Sequence, residues 1–222
     1  MNTSREEFLV RVRAAQRVAL RDDDRAAGDD ARHRVIDRAS DLAADRFPLP
    51  ELPVFDTPAG DRQERFGNNL VAMGGKFAAL DNAQALPDWL AEHFPGVTPV
   101  TATPEARSAA PLDVLRAPAS LHDVDVGIVR ARYGVAETGS VWLSELEYGV
   151  NALGYLVQHL VVLLDPRDIV DGLQDIYRQP DFASVRYAVL VTGPSATADI
   201  EGVLIQGAQG VRSLTVVLLP RD

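Results

Sequence analysis

From Ser4 to Leu20 the apolar residues Phe8, Leu9, Val12, Ala15, Val18 and Ala19 recur at three- and four-residue steps. That period, with Ser4 placed as a cap and Glu6 and Glu7 in the first turn, predicts an amphipathic helix. The following "RDDDRAAGDDARHR" is charged and poor in large apolar residues, so it reads as a solvated connector. Proline-rich "FPLPELPVFDTP", Phe47 to Pro58, marks a boundary. The chain divides there into an N-terminal helical arm and linker over 1–50 and a main domain over 51–222.

Beyond the boundary the period switches back and forth. Helices are predicted near Gln63 to Met73 and Pro87 to His93, and strands at Phe77 to Leu80 and Val97 to Val100. "TPEARSAAPLDVL" reads as loop and a short helix. Further strands are predicted at Gly139 to Ser144, His159 to Leu164, Arg186 to Val191 and Leu214 to Leu219, with a helix near Ile169 to Tyr177 opened by the Asp165-Pro166 corner. Strands alternating with helices, several of them continuously apolar, predict an α/β fold with a largely parallel sheet covered by helices on both faces. One segment resists a single strand: Val124, Val126 and Ile128 alternate in one phase, whereas Val129, Ala131, Tyr133 and Val135 alternate in the other. A bulge, a bend or a short helix must intervene, because a phase change turns the apolar set to the opposite face.

Two polar corners stand out. Glu137-Thr138-Gly139-Ser140 leads into the apolar "VWL", placing a carboxylate and two hydroxyls beside the sheet. "TGPSATADIEGVLIQGAQG", Thr192 to Gly210, follows another apolar run and reads as a Gly-Pro turn opening into a short acidic helix that Gly207 and Gly210 end. It lacks the Lys-Ser/Thr pair of a phosphate loop and the GxGxxG spacing of a dinucleotide site, and Asp199 and Glu201 would oppose a bound triphosphate. Ser195 or Thr197 can cap the helix, or they can line a ligand pocket; the residue types favour the cap.

Composition narrows the chemistry. A net charge of −10 argues against nucleic acid as a partner, since phosphate affinity rests on clustered Lys and Arg. Cysteine is absent, which removes thiol nucleophiles, disulfides and the thiolate cages of iron–sulfur clusters. His33, His93, His122 and His159 show no metal-ligand spacing; His122 with Asp123 and Asp125 is the best metal candidate, and His159 reads as a hydrogen-bonded core residue. No apolar stretch approaches the roughly 20 residues of a membrane-spanning helix, and the start of the chain has no signal-peptide pattern, so a cytoplasmic location is expected.

The segments "DVGIVRARYGVAETGSVWL", "HLVVLL" and "VLVTGPSATADIEGVLIQGAQG" together resemble the LUD domain of the LutC/YkgG family of lactate-utilisation proteins. The resemblance departs at Gln209, where the family has His, and at Val211, where it has Pro. It implies a fold similar to ribose-5-phosphate isomerase and coenzyme A transferases. It also implies a non-cluster subunit in an NAD-independent system oxidising L-lactate to pyruvate, with iron–sulfur clusters expected on a partner and no cofactor assigned to this chain. Glu137 is then the candidate catalytic group, and Thr138, Gly139, Ser140, Thr192, Gly193, Ser195, Thr197 and Asp199 the candidate ligand-binding residues, with the two corners converging at the carboxyl ends of the strands. Two other readings remain open: a stand-alone enzyme on a small phosphorylated or acyl coenzyme A substrate, and a regulatory or scaffold module with a vestigial pocket.

Overall fold

The computed structural model describes residues 52–54, 60–199 and 201–221. The expected arm over 1–50, including the Ser4 to Leu20 helix, lies outside the described residues. The first helix, α1 (Arg62–Ala72), starts where the Asp61 carboxylate accepts from Gln63 N, and it buries Phe66 and Leu70. It is followed by β1 (Lys76–Ala79), α2 (Leu86–His93) and the two-residue strands β2 (Val100–Thr101) and β3 (Ala110–Pro111). Then come β4 (Val126–Arg130), β7 (His159–Leu164) and β12 (Ser213–Leu218), which complete a six-stranded sheet of order β1-β12-β7-β4-β2-β3. Every pairing in it is parallel.

Alternation along the central strands sorts their side chains onto two faces. Leu160, Val162 and Leu164 of β7 and Leu214, Val216 and Leu218 of β12 join Phe66 and Leu70 of α1 in one core. Val161, Leu163 and Val217 face the other way, onto Leu86 and Leu90 of α2. Both faces of the sheet are therefore dry, which is why β7 reads as an unbroken apolar run.

A second sheet packs into the α1 side. It has the order β8-β5-β6-β9 and comprises β5 (Tyr133–Val135), β6 (Ser140–Ser144), β8 (Ile169–Val170) and β9 (Ala188–Val191). The phase change in the sequence marks the crossing from one sheet to the other: β4 ends at Arg130 and β5 begins at Tyr133, with two residues between them. Gly134 sits where β5 passes over the core, and a Cβ there would lie 2.6 Å from Leu164. Strands β6 and β9 pair antiparallel with each other, so the predicted strands at Gly139 and Arg186 belong to this sheet and not to the parallel one.

Other expectations need correction. Between Thr103 and Leu115 there is no helix; β3 lies there, and a 3-10 helix follows at Pro118–Asp123. The expected strand from Val97 begins only at Val100. The Asp165-Pro166 corner opens a single 3-10 turn, Pro166–Asp168, before β8, and helix α5 (Leu173–Tyr177) follows, after the short helices α3 (Glu145–Tyr148) and α4 (Leu153–Leu156). The supposed acidic helix after Pro194 is absent. Ala196–Thr197 (β10) pairs antiparallel with Ile205–Gln206 (β11), and left-handed backbone at Glu201, Gly202 and Gly207 turns the chain where a helix would have to continue.

At the end of β7, Asp165 is 1% exposed and anchors the carboxyl edge. Its carboxylate accepts from Arg167 Nε at 2.9 Å and Arg167 Nη2 at 2.6 Å, and from the backbone N–H groups of Arg167 and Arg221 at 2.9 Å each. The Arg167 side chain, followed by these N–H groups, holds its acid far below the ordinary carboxylate range. A depressed folded-state value contributes stability that is present above about pH 4, the unfolded value, and lost as pH falls through the folded one. Asp165→Asn is expected to cost about 1–3 kcal/mol at pH 7. In urea titrations the gap between wild type and variant should narrow steadily below about pH 4.

Candidate functional site

The two corners do meet. Thr138 Oγ1 donates to Ser140 Oγ at 2.7 Å, and Ser140 Oγ is hydrogen-bonded in turn to Thr192 Oγ1, so three hydroxyls form a ladder across β6 and β9. Both glycines of the corners press on the end of α1. A Cβ on Gly139 would fall 2.2 Å from Leu70 N, and one on Gly193 would fall 2.2 Å from the Met73 carbonyl oxygen. Both also have left-handed φ, +65° and +66°, so backbone shape and close approach each require glycine there. Asn69 completes the joint by donating from Nδ2 to the carbonyls of Ala136 and Glu137 at 2.8 and 3.0 Å.

The rest of the predicted set is spread out. Glu137 is exposed, and its Oε2 accepts from Leu173 N at 3.0 Å, the first residue of α5. The corner does not lie at the carboxyl edge expected for it: Gly193 approaches Met73 and Gly75, just before β1 begins, and Ser195 N–H donates to Val211 O at 2.9 Å, just before β12 begins, so both stand at the amino edge of the parallel sheet. Thr197 sits in β10, and its Oγ1 is 3.4 Å from the N–H of exposed Asp199. The structure thus gathers Thr138, Gly139, Ser140, Thr192 and Gly193, and leaves Ser195, Thr197 and Asp199 on the adjoining hairpin.

His122 and His159 are engaged locally. His122 Nδ1 is 2.8 Å from Ala119 O, and the neighbouring Asp123 pairs with Arg116 at 2.5 Å. His159 Nδ1 is 2.8 Å from Ser213 Oγ, and burial, then Lys76 and Arg212, lower its pKa.

A second polar constellation occupies the carboxyl end of the parallel sheet. Arg130 closes β4 with a side chain only 10% exposed. Its Nε pairs with Glu105 Oε1 at 2.5 Å, and its Nη1 donates to Leu219 O at 3.1 Å. Nε and Nη2 are both buried and neither meets hydrogen-bond geometry with a partner, so the Glu105 contact is an ion pair only. Burial draws this guanidinium below the ordinary arginine value; Glu105 raises it and the like charge of Arg221 lowers it again. An unmet buried donor costs about 1–3 kcal/mol, so the arrangement is held at some expense.

Around Arg130 runs a crevice of about 240 Å³ whose lining includes Thr103, Glu105, Arg132, Glu147 and Arg221. Glu147 is fixed by the Ser144 N–H at 2.8 Å, Arg221 by Asp168 at 2.7 Å, and Arg132 by Asp181 at 2.8 Å. Thr103 Oγ1 donates to Glu105. Next to it, a hollow of about 490 Å³ shares Glu105 and Arg221 and adds Arg107. No corner motif pointed to this place. Its signal in the sequence is an arginine ending an otherwise buried strand, "VGIVR".

Residues 116–219 match the family model of the LUD domain. This segment is a LUD domain. The family is linked to lactate utilisation. The LUD segment supplies β4 through β12, including the hydroxyl ladder and Arg130, whereas α1, β1, α2, β2 and β3 precede it. The chain is also similar to the crystal structure of a DUF162 family protein from Deinococcus radiodurans, with a TM-score of 0.57 and 17% identity, over 73% of this chain and 99% of that one. A likeness at that identity concerns the fold. No curated protein matches the chain. Among the described residues no helix is long and apolar enough to cross a membrane.

The LUD corners separate packing from chemistry in a testable way. Gly139→Ala should destabilise the protein by about 2–4 kcal/mol in urea unfolding, because both the left-handed φ and the contact with α1 are violated. Glu137→Gln, with one exposed backbone bond at stake, should stay within about 1 kcal/mol of wild type. A Gly139→Ala variant of unchanged stability would mean that the joint on α1 is not as tight as described.

Proposed function

We propose that this chain is the cluster-free component of a cytoplasmic lactate-utilisation system, acting beside an iron–sulfur protein in the oxidation of L-lactate to pyruvate. The reading is supported by the LUD match over residues 116–219 in a chain that contains no cysteine. Turning lactate into pyruvate removes two electrons and two protons. Cluster ligation requires thiolates, so the electron carrier belongs to another chain. Within the LUD domain, Glu137 is the exposed carboxylate at the corner, next in sequence to the Thr138–Ser140–Thr192 ladder, and is the candidate catalytic group of this reading. Gly139 and Gly193 hold that corner against α1. The Ser195, Thr197 and Asp199 hairpin is the adjoining part of the same assignment.

Deletion of the gene should abolish growth on L-lactate as the carbon source and leave growth on glucose intact. Wild-type protein should restore it, Glu137→Gln should restore it poorly or not at all, and affinity purification should bring down a protein with the brown colour of a cluster. Undiminished growth of the deletion strain on lactate would refute this role.

A further inference from the structure

We propose that the outer edge of β9 is a self-association surface, on which a second copy of this chain adds its own β9 antiparallel and joins the two second sheets into one continuous sheet. The inference stands on the main chain of β9 and does not rest on the lactate reading or on the Glu137 corner.

The hydrogen-bond parity of β6 and β9 shows which groups point outward. Glu145 N donates to Tyr187 O at 3.2 Å, and the same register pairs Leu143 with Val189 and Val141 with Val191. These are the hydrogen-bonded pairs, because such pairs recur at every second residue of an antiparallel ladder. The residues between them turn their main-chain groups away from β9: Ser144 N donates to the Glu147 carboxylate, and Trp142 O accepts from Arg132 N. Their partners Ala188 and Leu190 therefore direct N–H and C=O outward, and β9 is the last strand of its sheet, so no other strand among the described residues takes them. The Glu145 carboxylate accepts from the N–H groups of Arg186 and Tyr187 at 2.9 Å each, which closes the row at its start.

Composition leaves this edge unguarded. Sheet borders are commonly protected by proline, by charge or by brevity. In this chain β3 carries Pro111, β8 has two residues, and β1 opens on Lys76. By contrast β9 is "AVLV", four residues without charge or proline, all of them half-buried.

The pattern selects a copy of itself. A two-fold axis through Val189 sets Ala188 opposite Leu190 of the second copy and Leu190 opposite its Ala188, and each pair exchanges N–H···O bonds through groups that already point into the joint. On the side that faces the larger core, the axis sets Val189 against Val189 and Tyr187 against Val191, the apolar and aromatic–β-branched contacts that favour antiparallel pairs. No charged side chain of the strand meets its like, whereas a chain of net charge −10 otherwise repels its copies. At the same border Tyr155, whose hydroxyl meets that of Tyr187, is 40% exposed, and Leu156 beside it is 36% exposed. Both add apolar area for the second copy to cover.

Sedimentation of the full-length protein tests the surface. The protein should be mainly dimeric at about 50 μM and dissociate on dilution toward about 0.5 μM. Hydrogen exchange should find the Ala188 and Leu190 amides protected in the dimer and losing about 10-fold or more of that protection on dilution, while Val189 and Val191, bonded within the chain, keep theirs. Ala188→Pro removes only an outward N–H, so it should leave the secondary structure intact and weaken dimerisation by about 10-fold or more. Val189→Pro removes a bond to β6 and should lower the Tm instead. If Ala188→Pro does not fold, the exchange of the Leu190 amide decides. The proposal is overturned by a monomer at every concentration, by a dimer indifferent to a folded Ala188→Pro, or by exchange at Leu190 that does not change with concentration. None of these outcomes depends on growth on lactate, so the two readings fail separately.

Discussion

Strand β7 gives neither face to water: Leu160, Val162 and Leu164 press toward α1 and the second sheet, and Val161 and Leu163 press toward α2. A strand dry on both sides can carry charged groups only at its ends, because a charge in the middle would be desolvated without compensation. The same holds for β4 and β12 on either side of it. Hence the ionisable residues of the parallel sheet stand at its edges: Lys76 and His159 open β1 and β7, and at the carboxyl edge Arg130, Asp165 and Arg221 lie within reach of one another's fields. The dryness of the middle strands and the crowding of charge at their tips have one cause.

The LUD segment is not self-sufficient as a layer. Its strands β4, β7 and β12 need β1 on one side and β2 and β3 on the other to finish the parallel sheet, and all three come from residues before 116. Helix α1 also comes from that part, yet the corners at Gly139 and Gly193 are shaped to receive its end. A truncation to the family-matched residues would expose the buried faces of β12 and β4 and leave the two glycines with nothing to approach.

Much of the fold was legible because burial writes itself as pattern. The run at His159 to Leu164 agrees with β7 at both ends, and the helices near Gln63 and Pro87 lie within a residue or so of α1 and α2. The phase slip near Val129 signalled a break, and its meaning, a change of sheet, emerged only with the tertiary pairing of β5. Misreadings came where local chemistry admits two outcomes. Ser, Thr, Asp and Glu after Pro194 suit the first turn of a helix as well as an irregular hairpin, and Gly202 and Gly207 decided for the hairpin. As to the site, the hydroxyl ladder followed from the two motifs, because Ser140 and Thr192 flank paired strands. The Arg130 crevice did not, since its banks are brought together by strand order, which no short stretch of sequence carries.

The outermost strand of the parallel sheet on the β2 side, β3, has only Ala110 and Pro111, and proline has no amide hydrogen to offer. An incoming chain therefore finds no continuous row of donors on that border and cannot extend the sheet there by strand addition. An associating protein that approaches from that direction must be recognised through side chains, with its selectivity set by shape and charge and not by main-chain pairing.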